Sequence, residues 1–471
     1  MQLRGKRTVI WAAAVLLAAV AAAGWPLTKA APIMTGFAAK TICSNVFISG
    51  REAGDVFRED VAPVIFLADS VSYRVDREAK AVMADIVGFA EARAVFREGC
   101  GCTLVVGVPE AELKKQLIAA GDIRESAIDD LPWLAAGREI GEPLPPGVDA
   151  VRLTQALDAA FTEDSPEMPK RTRAVLVVHD GRLIAERYAP GFTSGMPLLG
   201  WSLSKSVTNA LVGILVQKGR LALDQPAPVP EWQGQGDPRR AITLDQLMRM
   251  TSGLEFSEVY TPFGDTAAML YESRDFGACA AAKPLAAAPG SRWSYSSGTA
   301  NIISRIVRQA VEAETPNSYH FLRRELFDAI GMTSAVMEAD PSGTFVGSSY
   351  AFATARDWAR FGLLFLQDGV WNGQRVLPEG WVAYTTTPAA KAPKGEYGAL
   401  FWLNAGAASD PATRRWPSVP ADAYSAEGFQ KQQIIILPSR KLVLVRFGAT
   451  PSPGAWNTEA FIADVLAALP P

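Results

Sequence analysis

Ser202 and Lys205 are the pair in this sequence whose types and spacing point most directly to covalent chemistry. A serine hydroxyl is a weak nucleophile until a neighbouring base takes its proton, and a lysine amine is one such base. Val207, Leu211, Ile214 and Leu215 fall on one helical face, and Gly219, just after Lys218, suits a C-cap. The pattern predicts a helix opened by Ser202, with Lys205 one turn later on the same side. The positive end of a helix favours an anionic oxygen and disfavours an ammonium, so both effects push toward an activated pair. Ser-x-x-Lys by itself is short enough to arise about once by chance in a chain of this length. Ser204 and Ser206 read equally well as N-cap residues. A histidine-dependent triad has less support. The two histidines, His179 and His320, sit in a strand-like run and a helical run, and no Gly-x-Ser-x-Gly elbow accompanies them.

The elements that must position this pair come from both ends of the chain. Ala174 to His179 and Arg182 to Tyr188 flank Asp180-Gly181, a strong hairpin signal. A second hairpin is expected from Gln432 to Leu437, a turn through Pro438 to Lys441, and Leu442 to Phe447. Asn457 to Leu469 carries Phe461, Val465 and Leu469 at helical spacing. The segment between the hairpins is mainly helical, so a helical insert between strands from the two chain ends is the simplest arrangement. Upstream, Val71 to Val75 and Cys102 to Val106 are strand-like, and a Gly/Pro-rich crossing runs from Gly137 to Gly147.

Further segments place Ser202 in company. The run Ser202 to Leu215 resembles the Ser-x-x-Lys helix of class C β-lactamases and of their esterase, D,D-peptidase and 6-aminohexanoate-dimer hydrolase relatives. Tyr295-Ser296-Ser297 within Arg292 to Asn301 resembles their second motif. Ile242 to Met248 running into Thr251-Ser252-Gly253-Leu254, and Ala353 to Gly362, are similar to further family segments. The resemblance covers about 150–471. It implies an α/β (α+β) fold: a β-lactamase-like antiparallel sheet flanked by helices, a mainly helical subdomain and a small N-terminal extension.

By resemblance, Ser202 is acylated, Lys205 and Tyr295 share the base and acid roles, and Ser297 contacts substrate or Lys205. A nearby ammonium would favour the Tyr295 phenolate. The third motif is matched by Glu427-Gly428-Phe429 entering Ile434-Ile435-Ile436. Gly428 permits close approach, and the Phe429 N–H joins that of Ser202 in binding an oxyanion. Glu427 stands where relatives commonly carry Lys or His, and Lys431 where hydrolase relatives often carry glycine. Glu427 is therefore expected to disfavour carboxylate-bearing β-lactams, with pairing to Lys431 as the bland alternative. Tyr260 and Asp265 match a segment that contacts substrate in 6-aminohexanoate-dimer hydrolases, where Asp265 would bind an amine; otherwise it caps a helix. The implied function is hydrolysis of a small-molecule amide or ester. D,D-peptidase or β-lactamase activity, and a non-catalytic penicillin-binding-like module, are the alternatives.

Composition sets the surroundings. Of 471 residues, 49% are hydrophobic and 20% charged, which is ordinary globular usage. A formal net charge of −3 with no basic run gives no reason to expect a nucleic-acid partner. No metal-spaced Cys/His cluster occurs, and no metal or cofactor is expected. Arg4, Lys6 and Arg7 precede an uncharged stretch from Thr8 to Thr28, so residues 1–39 read as a signal peptide or membrane anchor. A small-x-small site at Gly36-Phe37-Ala38 would allow cleavage. An extension and linker (40–149) and the hydrolase domain (150–471) follow. Localisation is expected to be exported, either periplasmic or membrane-anchored facing the periplasm.

Four cysteines, Cys43, Cys100, Cys102 and Cys279, fit two disulfides in an oxidising compartment. A Cys100–Cys102 bond would be strained on a strand, which leaves two pairings open. The resemblance favours Cys43–Cys102, in segments familiar from relatives, with Cys100–Cys279 as an added pair.

Overall fold

The first described element is a helix, α1, over 28–47, in a computed structural model that describes residues 28–117, 144–313 and 319–470. Ala38, Ala39, Ile42 and Cys43 are fully buried, two i,i+4 pairs that form one inward face. Most of the stretch read as a leader (residues 8–27) lies outside the described residues. Residues 28–39, included with it above, instead belong to the folded body, and Gly36 to Ala38 lie inside a buried helix. Four antiparallel strands follow in sequential order: β1 (Val71–Asp76), β2 (Ala81–Ile86), β3 (Phe89–Arg97) and β4 (Gly101–Leu104). Val82, Ala84, Ala94 and Cys102 turn inward onto α1 and form a separate small core with it. Cys43 and Cys102 join helix to sheet through a disulfide.

The second expected bridge is not formed: Cys100 and Cys279 are not bonded to each other. Cys100 sits in the turn between β3 and β4, where its carbonyl receives the buried Arg97 side chain. Cys279 lies on the separate helix Phe276–Ala281, where Ser273 and Lys283 influence its thiol.

The main sheet is antiparallel and joins the two chain ends. Helix α2 (Ala150–Phe161) leads into β5 (Thr172–His179) and β6 (Arg182–Tyr188). The Asp180-Gly181 turn has positive φ at both residues, the geometry a tight hairpin needs. The central helical region carries α3 (Leu203–Gln217), α4 (Ser297–Glu312) and α5 (Ala355–Leu366). The chain returns through β7 (Trp402–Leu403), β8 (Tyr424–Gly428), β9 (Gln432–Leu437), β10 (Leu442–Gly448) and the final helix α6 (Thr458–Ala467). The strand order is β7-β8-β9-β10-β5-β6, so the C-terminal hairpin pairs with the first strand of the domain.

Both faces of this sheet are covered, which explains its unbroken apolar strands. Leu176, Val178, Ile434, Ile436, Val443 and Val445 face the helical region. Val175, Val177, Ile435, Leu437, Leu442 and Leu444 alternate with them and meet α2 and α6 on the other side. Helix α3 packs in the first of these cores with thirteen consecutive buried residues, Leu203 to Leu215. An element buried all round is a rigid base for a reactive side chain.

Candidate active site

Ser202 is the N-cap of α3, and its side chain makes no capping bond, which leaves the hydroxyl for other partners. It is aimed by an unusual backbone. Trp201 has φ of 49°, a left-handed conformation costly for a large aromatic residue. Its ring is held by Phe37 (6.5 Å), Tyr350 (6.2 Å) and Phe429 (5.6 Å). The surrounding structure thus sets the turn that presents the serine.

Lys205 is 1% exposed and makes three polar contacts. Its Nζ lies 2.9 Å from Ser202 Oγ, 3.1 Å from Ser297 Oγ and 3.1 Å from the Ser348 carbonyl oxygen. The Ser297 hydroxyl donates to Glu258 Oε1 at 2.5 Å, and the Ser297 N–H donates to Glu258 Oε2 at 2.7 Å. This fixes directions. A carboxylate only accepts, so Ser297 Oγ offers Lys205 a lone pair, as does the Ser348 carbonyl. A neutral lysine has two N–H donors for those acceptors and one lone pair left, which faces Ser202. Burial pushes the Lys205 pKa down to about 8, against the opposing pull of Glu258.

The Tyr295 ring lies 4.7 Å from Lys205 Nζ, stacks on Trp402 (5.2 Å) and meets Tyr397 edge-on (5.8 Å). Burial drives its phenol well above the ordinary tyrosine value; Tyr397, Glu258 and Glu427 add to this, and a hydrogen bond with Ser202 opposes it. The phenolate expected from a neighbouring ammonium is therefore disfavoured, because desolvation is the largest influence on the phenol.

Gly428 ends β8 against the turn before Ser202. A Cβ there would lie 2.1 Å from the Gly200 carbonyl oxygen, so only glycine fits. Phe429 follows, then Gln430 and Lys431, both at positive φ (59° and 64°). The buried Arg446 guanidinium donates to the carbonyls of Gln430 (3.2 Å) and Lys431 (3.0 Å) and holds this strained loop. A cavity of about 300 Å³ opens in front, lined among others by Ser202, Tyr260, Tyr295, Trp402, Gly428 and Phe429.

The structure thus gathers Ser202, Lys205, Tyr295, Ser297, Gly428, Phe429 and Tyr260 into one site. Asp265 does not join them. It begins the helix Asp265–Glu272, pairs with Lys283 at 2.6 Å and accepts the Ser257 N–H at 2.8 Å. Glu427 lines the cavity, but its partner is Arg415 (2.9 Å) rather than Lys431 alone. Burial raises the Glu427 pKa, yet Arg415 and Ser425 outweigh this and hold the group below the usual carboxylate range. Glu258, Arg415 and Arg446 were not singled out from the sequence. Glu258 stands two residues before Tyr260 in a loop with no periodicity, and its role emerges only when that loop meets the start of α4.

The antiparallel sheet that joins both chain ends, with its helical insert, lies within a region that matches a known family. The Beta-lactamase family model matches residues 166–468, and the chain belongs to that family of hydrolases. A curated relative is the 6-aminohexanoate-dimer hydrolase of Paenarthrobacter ureafaciens, 25% identical over 71% of this chain and 87% of the relative. Esterase EstB of Burkholderia gladioli is 30% identical over 36% of this chain and 48% of its own length. Among solved structures, a putative 6-aminohexanoate-dimer hydrolase from Bacillus anthracis shares the fold, with a TM-score of 0.52 and 24% identity. That match covers 70% of this chain and 82% of the other.

Proposed function

We propose that the protein hydrolyses esters or amides of small molecules through an acyl-enzyme on Ser202, with neutral Lys205 as the acylation base. The observation that carries this is the lysine amine, 2.9 Å from Ser202 Oγ, with both other contacts to obligate acceptors. Ser202 Oγ attacks the carbonyl carbon while its proton passes to Lys205. The N–H groups of Ser202 and Phe429 receive the oxyanion. As the carbonyl reforms, the bond to the leaving alcohol or amine breaks. Tyr295, kept as a neutral phenol, donates its proton to the departing group and is reprotonated from Lys205. Water then attacks the acyl carbon by the same route and releases the acid.

Intact Ser202, Lys205 and Tyr295 favour a catalyst over a binding-only module. We further propose export to an oxidising compartment. The Cys43–Cys102 disulfide and the basic-then-apolar N-terminus support this reading. Among the described residues no helix is long and apolar enough to cross a membrane, and the proposed leader lies mostly outside them. A screen of esters, linear amides and β-lactams with Ser202→Ala as blank tests the function. Turnover of an ester or amide that Ser202→Ala abolishes is expected; turnover that survives the substitution would refute it.

A further inference from the structure

A second cavity, of about 80 Å³, lies beside the first, and no charged side chain among the described residues lines it. Trp201, Ala267 and Phe429 contribute from the catalytic domain, and Met34, Phe37 and Phe66 from the N-terminal layer. Those last three fall outside the residues that the family model matches, so part of this wall belongs to the N-terminal extension. The wall is firmly set. Cys43–Cys102 ties α1 to β4, and the buried Lys40–Glu338 ion pair ties α1 to the catalytic domain.

Tyr260 and Phe429 line both cavities, and their rings stack at 5.8 Å as the partition between them. Both are large apolar groups left open to solvent, at 51% and 37%. On the N-terminal side of the lining, Phe66 is 51% and Val64 39% exposed. An apolar patch continuous with a cavity is what a ligand-binding surface looks like. Its chemistry excludes a charged ligand arm. The carboxylate on this side that would hold an amine, Asp265, is spent on Lys283.

We infer that this cavity receives an uncharged aliphatic acyl chain of the substrate, which passes the Tyr260–Phe429 partition from the carbonyl carbon at Ser202. This rests on the acyl-enzyme reading above and adds the substrate class. A water-sized group occupies roughly 10–15 Å³ on this measure, so the space holds about five to eight of them, matching an acyl chain of about six to eight carbons. Each methylene buried contributes up to about 0.8 kcal/mol, or nearly fourfold in binding.

The test is a series of p-nitrophenyl esters from acetate to dodecanoate, each with Ser202→Ala as blank. For the wild type, kcat/KM should rise at least tenfold from acetate to hexanoate or octanoate and gain nothing beyond. Ala267→Phe fills the cavity and should cut the hexanoate-to-acetate ratio of kcat/KM at least tenfold. Should that variant fail to fold, Val64→Trp, at a half-exposed lining position, should lower the same ratio. Ser202-dependent turnover with a flat chain-length profile would overturn the acyl cavity alone and leave the hydrolase reading standing. It would give the aromatic rim to another occupant. An unchanged ratio in folded variants would do the same. No Ser202-dependent turnover of any ester, amide or β-lactam would overturn both.

Discussion

Among the described residues two lysines are buried, one in the N-terminal layer and one in the catalytic domain, and their surroundings are nearly parallel. Lys40 Nζ hydrogen-bonds Ser44 Oγ at 2.9 Å and lies 4.0 Å from the centre of the Tyr350 ring. Lys205 Nζ contacts Ser202 Oγ at 2.9 Å and lies 4.7 Å from the centre of the Tyr295 ring. Burial lowers the pKa of both. The difference is the carboxylate. Glu338 pairs directly with Lys40, and also accepts from Ser44 and from the Cys102 N–H (2.6 Å). Glu258 reaches Lys205 only through the Ser297 hydroxyl. At Lys40 the direct ion pair opposes the effect of burial and makes the side chain a structural anchor; with a hydroxyl between lysine and carboxylate, burial brings Lys205 down to about 8.

That contrast breaks most visibly when each lysine is removed. Lys205→Ala should lower kcat/KM by about a thousandfold or more while circular dichroism and thermal melting stay near wild type, because nucleophile and base act as a unit. Lys40→Met should do the reverse. It strands Glu338 in the interior and should cost about 3–5 kcal/mol in denaturant titrations. Pairing it with Glu338→Leu should recover much of that loss. Turnover per folded molecule should stay close to wild type in both.

Smaller changes sharpen the comparison. Glu258 raises the Lys205 pKa, so Glu258→Gln should lower it. In the mechanism proposed above activity requires the neutral amine, so it should rise as pH passes the lysine pKa. In Glu258→Gln the acidic limb of kcat/KM should therefore move to lower pH, with a lower plateau because Ser297 loses a charged acceptor. A limb that stays in place would remove Glu258 from the electrostatics of the site. The smallest effect is expected at Glu427, whose charge Arg415 already offsets. Glu427→Gln frees that guanidinium at the cavity and should raise kcat/KM for carboxylate-bearing substrates about three- to tenfold over neutral ones.

What the sequence made legible follows the range of each interaction. The hairpins declared themselves through turns between apolar runs, Asp180-Gly181 in the first and Pro438 to Lys441 in the second. Strands from both chain ends were expected around a helical insert, and Thr172–His179 indeed pairs with Leu442–Gly448. Ser202 and Lys205 are one helical turn apart, so their contact was readable from spacing. Asp265 kept two readings, amine binding or a helix terminus; it does begin a helix, and its partner, Lys283, is brought to it only by folding. Glu258 was missed for the same reason, being 39 residues from Ser297 in sequence. The disulfide pairing was half legible. Cys43–Cys102 joins elements of one layer, whereas Cys100 and Cys279 sit on separate elements whose local partners no pattern records. Residues 28–39 merged with the apolar stretch before them because a buried helix and a leader share one composition.

The most direct test of the central claim, that neutral Lys205 activates Ser202, is the rate of phosphonylation by a fluorophosphonate as a function of pH, read by intact mass. It needs no knowledge of the natural substrate. One adduct should form in the wild type and none in Ser202→Ala, and its rate should climb with pH to a plateau through a transition at about 8. An adduct in Ser202→Ala, or a rate indifferent to pH across that range, would contradict the account.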